Sequence, residues 1–235
     1  MRDSESGWGR RAGDCGRYGR LSAARVVATA LDIVDREGLS ALSMRRLGAE
    51  LGVEAMALYR YAAGKDALLD GMVEALNLEV QGLLAAGGEE ATPPVGTAQH
   101  PEWRTELHRA AEATYRVSMA HPRVAPLLAM RMPAVLKEHK RVLVLLEQAG
   151  LDESGVSGVF RAFTSWVLGY VFVELRAMVD NPDEPDPAFR LGLHRMPAQE
   201  LPRLREIAPA IAEHGGLDGL ATGLDALLDR FARDA

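Results

Sequence analysis

From residue 26 onward, apolar side chains return every three or four positions rather than every second one, which predicts helices that each bury one stripe. The first stripe is Val26, Val27, Ala30, Leu31 and Val34, with Ser22 placed to cap its start and Gly38 its end. A short second helix is predicted over residues 44–51, opened by Ser43, turning Met44, Leu47 and Leu51 inward and ended by Gly52. A third runs from near Glu54 to about Tyr61. Gly64 then breaks the chain, and a long helix starts at Lys65 with Leu68, Leu69, Met72, Val73, Leu76 and Val80. Residues 87–101 concentrate Gly, Pro and Thr and form a linker or a long interhelical loop.

Helical spacing resumes over residues 102–120, breaks at His121-Pro122, and continues to about Met130 and then over residues 133–149. The most apolar helix, residues 152–179, carries Val159, Phe160, Phe163, Trp166, Val167, Tyr170, Val171 and Val173 on more than one stripe. Such a helix is buried on several sides, in a large core or against another subunit. Residues 180–187, DNPDEPDP, read as an exposed loop. A proline-punctuated helix over residues 201–213 precedes a last amphipathic one over residues 217–231, whose seam of Leu217, Leu220, Leu224, Leu227, Leu228 and Phe231 suits a partner helix. The pattern predicts no strand, so the fold class is all-α.

Composition agrees: 48% hydrophobic, 26% charged and 6% aromatic residues describe a globular chain of 235 residues. The single cysteine, Cys15, excludes an intrachain disulfide framework and favours a reducing, cytoplasmic setting. The longest uninterrupted apolar stretch, residues 167–173, falls far short of the roughly 20 residues that cross a bilayer, so no membrane partner is expected. The net charge of −6 speaks against nucleic acid until it is divided along the chain. Residues 1–65 hold eleven basic and eight acidic residues, a net +3, and the remainder holds sixteen and twenty-five, a net −9. The expected organisation is a flexible basic arm over residues 1–20, a small helical unit over 21–66 and a helical body over 67–235.

Two short helices joined at Gly52-Val53 form a helix-turn-helix pattern, which many helical proteins share at a simple corner. The surface chemistry separates the cases. Ala55, Met56, Ala57, Tyr59, Arg60 and Tyr61, followed by Lys65, combine small, aromatic and basic side chains. Alanines let a helix approach the major groove, methyl groups meet thymine methyls, and arginine pairs with guanine.

The run from Leu21 to Leu69, containing GLSALSMRRLGAELGVEAMALYRYAAGKDALL, resembles the N-terminal DNA-binding domain of the TetR family of transcriptional repressors. The segment GLATGLDALLDRF, with the long helix ahead of it, is similar to the C-terminal domain of the tetracycline-repressor branch. The resemblance implies a three-helix DNA-binding domain joined to a larger helical domain for ligand binding and dimerisation. It implies that Ser43 and Arg45 reach the DNA backbone or a base edge, and that Ala55, Met56, Ala57, Arg60 and Tyr61 face the groove. Tyr59 and Lys65 would hold phosphates, with core packing an equal alternative for Tyr59. Glu54 is expected to cap its helix, because an acid there suits the helix dipole and repels phosphate.

The resemblance further implies a homodimer on a palindromic double-stranded operator with half-sites about 34–36 Å apart, released by a small-molecule effector. Phe160, Gly169, Val173, Leu220, Leu224 and Leu228 are the candidate dimer surface, although an intrachain core uses the same residue types. Trp103, Tyr115, Met119, Met130, Met132, Phe163, Trp166 and Tyr170 are the candidate effector pocket. The tetracycline branch holds its magnesium-bound drug with histidines, where this chain has Gln81 and Leu128. The resemblance therefore carries no magnesium-tetracycline site, and no cofactor is expected. The six histidines show no metal-ligand spacing, and His108 with Glu112 reads as a surface pair. No nucleophile elbow, Walker loop or HExxH motif is present, which weighs against a helical enzyme. A DNA binder without an effector is the other alternative.

Overall fold

The Ser22 hydroxyl accepts a hydrogen bond from the Arg25 amide at 3.2 Å and starts α1 (Ala23–Glu37) where the sequence places it. The computed structural model describes residues 21–86, 102–131, 151–180, 202–213 and 215–232, with helical residues 143, 144, 146 and 147. The expected arm, the linker, residues 181–187 of the acidic loop and most of the helix expected over 133–149 lie outside the described residues.

A 3-10 turn at Leu39–Ala41 follows α1, and Ser43 caps α2 (Met44–Leu51) by accepting from the Arg46 amide at 3.1 Å. Next come α3 (Ala55–Leu58), α4 (Lys65–Ala86), α5 (Glu102–Ala120) and α6 (Pro126–Met130). The chain closes with α7 (Glu153–Asp180), α8 (Pro202–Glu213) and α9 (Gly216–Ala232). Among the described residues every regular element is helical. The third helix is shorter than expected: it ends at Leu58, and Tyr59 to Tyr61 form a turn held by the Tyr61 and Ala62 amides on the Leu58 carbonyl.

Two hydrophobic cores divide the packing. The first gathers the inward stripes of α1, α2 and α3 with Leu68, Leu69, Met72, Val73 and Leu76 of α4, and it also takes in Val117, Val124, Leu127 and Leu128 from α5 and beyond. The second lies among α5, α7 and α9. Two ties between α5 and α9 seal its edge, Arg104 to Asp229 and His108 to Asp225, each at 2.8 Å. His108 thus pairs across helices rather than with Glu112, which goes to Arg116 at 2.7 Å.

Over Glu153–Arg176, α7 has the length and mean hydropathy, 1.4, of a membrane-crossing helix. No uninterrupted apolar run announces this, because Gly, Ser, Thr and Arg are scattered through the helix. Its stripe of Val156, Val159, Phe163, Val167, Val171 and Leu175 is consumed by the second core. Phe172 and Val173 remain exposed on another face.

Candidate nucleic-acid interface

The helix-turn-helix is built around two glycines. Gly52 adopts φ +69°, the left-handed conformation that ends α2 and that a side chain would strain. Gly48 answers a different need. A Cβ there would lie 2.8 Å from the Val53 carbonyl oxygen and 3.2 Å from the Ala55 nitrogen, so only glycine lets the turn and the start of α3 lie against α2. Leu47, Leu51 and Leu58 are buried beneath this contact and fix the angle between the two helices.

With Leu58 as anchor, the opposite side of α3 and its turn faces outward. Met56 is 74% exposed, and Tyr59, Arg60 and Arg45 are exposed beside it, while Ala55 and Ala57 are half-buried. Three candidates are held differently from expectation. The Tyr61 ring packs against the first core and its hydroxyl donates to the Leu21 carbonyl at 3.1 Å, tying the turn to the start of α1. The Lys65 ammonium donates to the Leu42 carbonyl at 3.0 Å, bracing the segment that leads into α2. Glu54 occupies the N-cap position with extended backbone, but its side chain makes no capping bond; its carbonyl accepts from the Ala57 amide. Among the candidates, Ser43, Arg45, Met56, Tyr59, Arg60 and Lys65 are exposed, whereas Tyr61 is half-buried.

An ion-pair lattice joins α1 to α2, with the i,i+4 pairs Arg36–Asp32 and Arg46–Glu50 linked across the helices by Arg36–Glu50 and Arg46–Glu37. The Arg46 guanidinium holds the Glu37 and Glu50 carboxyls below the usual carboxylate range, and Arg36 adds to the effect at Glu50. The lattice leaves Arg45, one position away on α2, outside its pairings.

The reading head is also tied to the body. The turn after α5 sets His121 between Asp35 of α1 and Glu79 of α4. The Arg123 guanidinium donates to the carbonyls of Asp35 and Arg36, closing the end of α1. Arg131, just past α6, pairs with Asp66 and Asp70 in the first turns of α4, next to Lys65. The hydrogen bond to Asp70, reinforced by Asp66, raises the Arg131 pKa and keeps it cationic.

Residues 26–72 match the family model described as bacterial regulatory proteins, tetR family, and residues 96–230 match that of the tetracyclin repressor-like C-terminal domain. The chain belongs to the TetR family. It is 32% identical over 154 residues to the HTH-type transcriptional repressor DrrR1 of Streptomyces coeruleorubidus, a match covering 63% of this chain and 52% of that protein. The chain thus spans about half the length of that relative. Among solved structures, a possible TetR family transcriptional regulator from Streptomyces coelicolor A3(2) superposes with a TM-score of 0.72 at 28% identity, covering 91% of this chain and all of that one, 100%. The Streptomyces coelicolor TetR family protein ActR in complex with actinorhodin gives 0.68 at 26% identity, covering 92% and 99%.

In this TetR-family chain, the C-terminal candidates fall into distinct places. Trp103 and Phe163 are core residues, Tyr115 and Met119 are half-buried beside them, and Met130 is 75% exposed and lines no interior space. Met132 lies outside the described residues. Trp166 and Tyr170 spend their polar atoms on α9: the indole N–H donates to the Leu220 carbonyl at 3.3 Å and the tyrosine hydroxyl to the Gly216 carbonyl at 2.8 Å. Burial, with the charge of Glu174, pushes the Tyr170 hydroxyl pKa up, so it stays a donor. Gly223 is where the Trp166 ring meets α9, and a Cβ there would collide with the indole.

The dimer candidates also divide. Leu220, Leu224 and Leu228 are at most 2% exposed inside the second core, which corrects their assignment to a subunit surface: the seam of α9 is filled by α5 and α7 of the same chain. Phe160 is half-buried against that core. Gly169 and Val173 remain on the open face of α7, with Phe172 beside them. Nothing in the hydrophobic pattern marks the Asn77 Nδ2, Ser118 Oγ and Thr164 Oγ1 atoms on α4, α5 and α7, which are buried and meet no hydrogen-bond partner among the described residues.

Proposed function

We propose that this TetR-family protein is a transcriptional repressor that binds a palindromic operator as a homodimer and is released by a small-molecule effector. The observation that carries the DNA reading is the exposed Arg45, Met56, Tyr59 and Arg60 face on a turn locked by Gly48 and Gly52. Arg60 and Met56 read base edges; Tyr59 and Ser43 contact the backbone. An ammonium has three donors, so Lys65 keeps two for phosphate after its bond to Leu42.

The open α7 face is the dimer surface in this reading, since nothing lies within 4 Å of where a Gly169 side chain would begin and a second helix can come close. The effector enters the body. Buried polar atoms without partners are costly, and the Asn77, Ser118 and Thr164 atoms are the groups a polar ligand would satisfy. The actinorhodin-bound state of ActR supports a ligand of small-molecule size.

Selection of bound sites from random duplex DNA tests the proposal. The protein should enrich a two-fold sequence, Arg60→Ala should cost about 1–3 kcal/mol and relax preference at one position of each half-site, and Lys65→Ala should weaken all duplexes alike. Equal retention of selected and scrambled duplexes would overturn the repressor reading.

A further inference from the structure

His121 stands at the one place where a titratable ring is shared between reading head and body among the described ion pairs. Its Nδ1 lies 2.6 Å from Asp35 Oδ2 on α1, and its Nε2 lies 3.1 Å from Glu79 Oε2 on α4. A neutral imidazole has one N–H and one lone pair, so it can satisfy one of these carboxylates and must turn its lone pair on the other. Only the imidazolium donates to both. The geometry therefore suits the imidazolium better than either neutral tautomer.

The surrounding charges leave it without a substitute. From α1, Asp35 faces the ring, and its second oxygen, Oδ1, is buried with no hydrogen-bond partner among the described residues. Arg36 on the same helix turns to Asp32 and Glu50. Arg123, the cation next along the turn, is committed to the α1 carbonyls. From α4, Glu79 faces the ring, and α6, sequence PLLAM, brings no titratable side chain. On α5 itself Arg116 is paired with Glu112. Loss of the His121 proton thus leaves the ring able to donate to only one of the two carboxylates, so that either its tie to α1 or its tie to α4 is broken.

We propose that His121, as an imidazolium, is a positioning residue that fixes the reading head on the body, so that losing one proton loosens the head and weakens operator binding. The operator clause rests on the repressor reading; the latch itself does not. A head held at one angle presents two recognition surfaces at a fixed spacing, whereas a loosened head must be ordered at the moment of binding. Partial burial pulls the ring toward neutrality, but the hydrogen bond and charge of Asp35, with the charge of Glu79, outweigh it and hold the pKa above its ordinary value. The sign follows: the tie is fully made below the ordinary imidazole range and is lost as pH rises through the raised value.

The experiment compares full-length wild-type protein with His121→Gln and His121→Lys at constant ionic strength, from about pH 6 to about pH 8.5. Nuclear magnetic resonance of the imidazole C–H, assigned by its absence in His121→Gln, should give a midpoint above the ordinary histidine value. Melting temperature should fall with pH more steeply in wild type than in His121→Gln, and Glu79→Gln should move the wild-type midpoint to lower pH. On a duplex taken from random selection, wild type should bind about fivefold more weakly at the alkaline end, while both His121 variants lose that dependence and His121→Lys stays tight. Parallel pH profiles for wild type and His121→Gln, or a ring that titrates at or below its ordinary value, would overturn the latch. Failure to enrich any duplex would count against the repressor reading instead, leaving the resonance and melting data to decide the latch.

Discussion

Three glycines in helices do three different jobs, and alanine at each separates them. Gly48→Ala drives a methyl into the Val53 carbonyl and should cost about 1–3 kcal/mol in urea unfolding, because backbone on the far side cannot yield. Gly223→Ala meets the Trp166 indole and should cost a similar amount, relieved when Trp166 is also cut to Leu. Gly169→Ala meets nothing in its own chain, so it should leave the protomer as stable or up to about 1 kcal/mol more so. If α7 pairs with its copy there, sedimentation will show that variant's dimer weakened. The sequence pointed to Gly169 as a dimer candidate but marked neither Gly48 nor Gly223, since a glycine amid helical spacing looks the same whether it admits a carbonyl, a ring or a second chain. The caps were legible, because Ser22 and Ser43 act within three residues of themselves. The partners of Tyr61, Lys65 and His108 were not, lying 40, 23 and 117 positions away.

At the level of elements, helical spacing located α1, α2, α4, α5, α7, α8 and α9 but could not say what each stripe would meet. The leucine seam of α9 is the clearest case. Its repeat fits a helix of the same chain as well as one from a partner, and the indole of Trp166 and hydroxyl of Tyr170, gripping α9 carbonyls, decide for the same chain. Leu224→Asp should therefore cost about 4 kcal/mol or more and unfold the body, since it places an unpaired charge in a core. Val173→Asp, at a position 59% exposed, should leave the melting of the protomer intact and shift sedimentation toward monomer. The α1–α2 lattice gives an acid-side expectation. With Glu37 and Glu50 held below the usual carboxylate range, its contribution is present above that range and disappears as pH falls through the lowered values. Arg46→Gln should flatten this part of the melting-temperature profile, and added salt should shrink the difference between the two proteins.

Across the whole molecule, the opposite charges of the two sequence segments fit a head that approaches phosphates and a body that stays clear of them. The first core does not respect that division. Its interior is completed by Leu68 to Leu76 of α4 and by Val117, Val124, Leu127 and Leu128 from beyond the linker. A fragment ending at residue 66 should accordingly lack a cooperative thermal transition in circular dichroism, having lost one wall of its interior. Exchange of DNA-binding modules between relatives faces the same obstacle. A splice at residue 66 cuts through close-packed side chains, and the hybrid inherits two half-interiors shaped for other neighbours. If the proposed reading face holds, new operator preferences are reached more cheaply by replacing the few outward side chains on the α3 turn, so the module that looks portable in the sequence is editable in place but not transplantable.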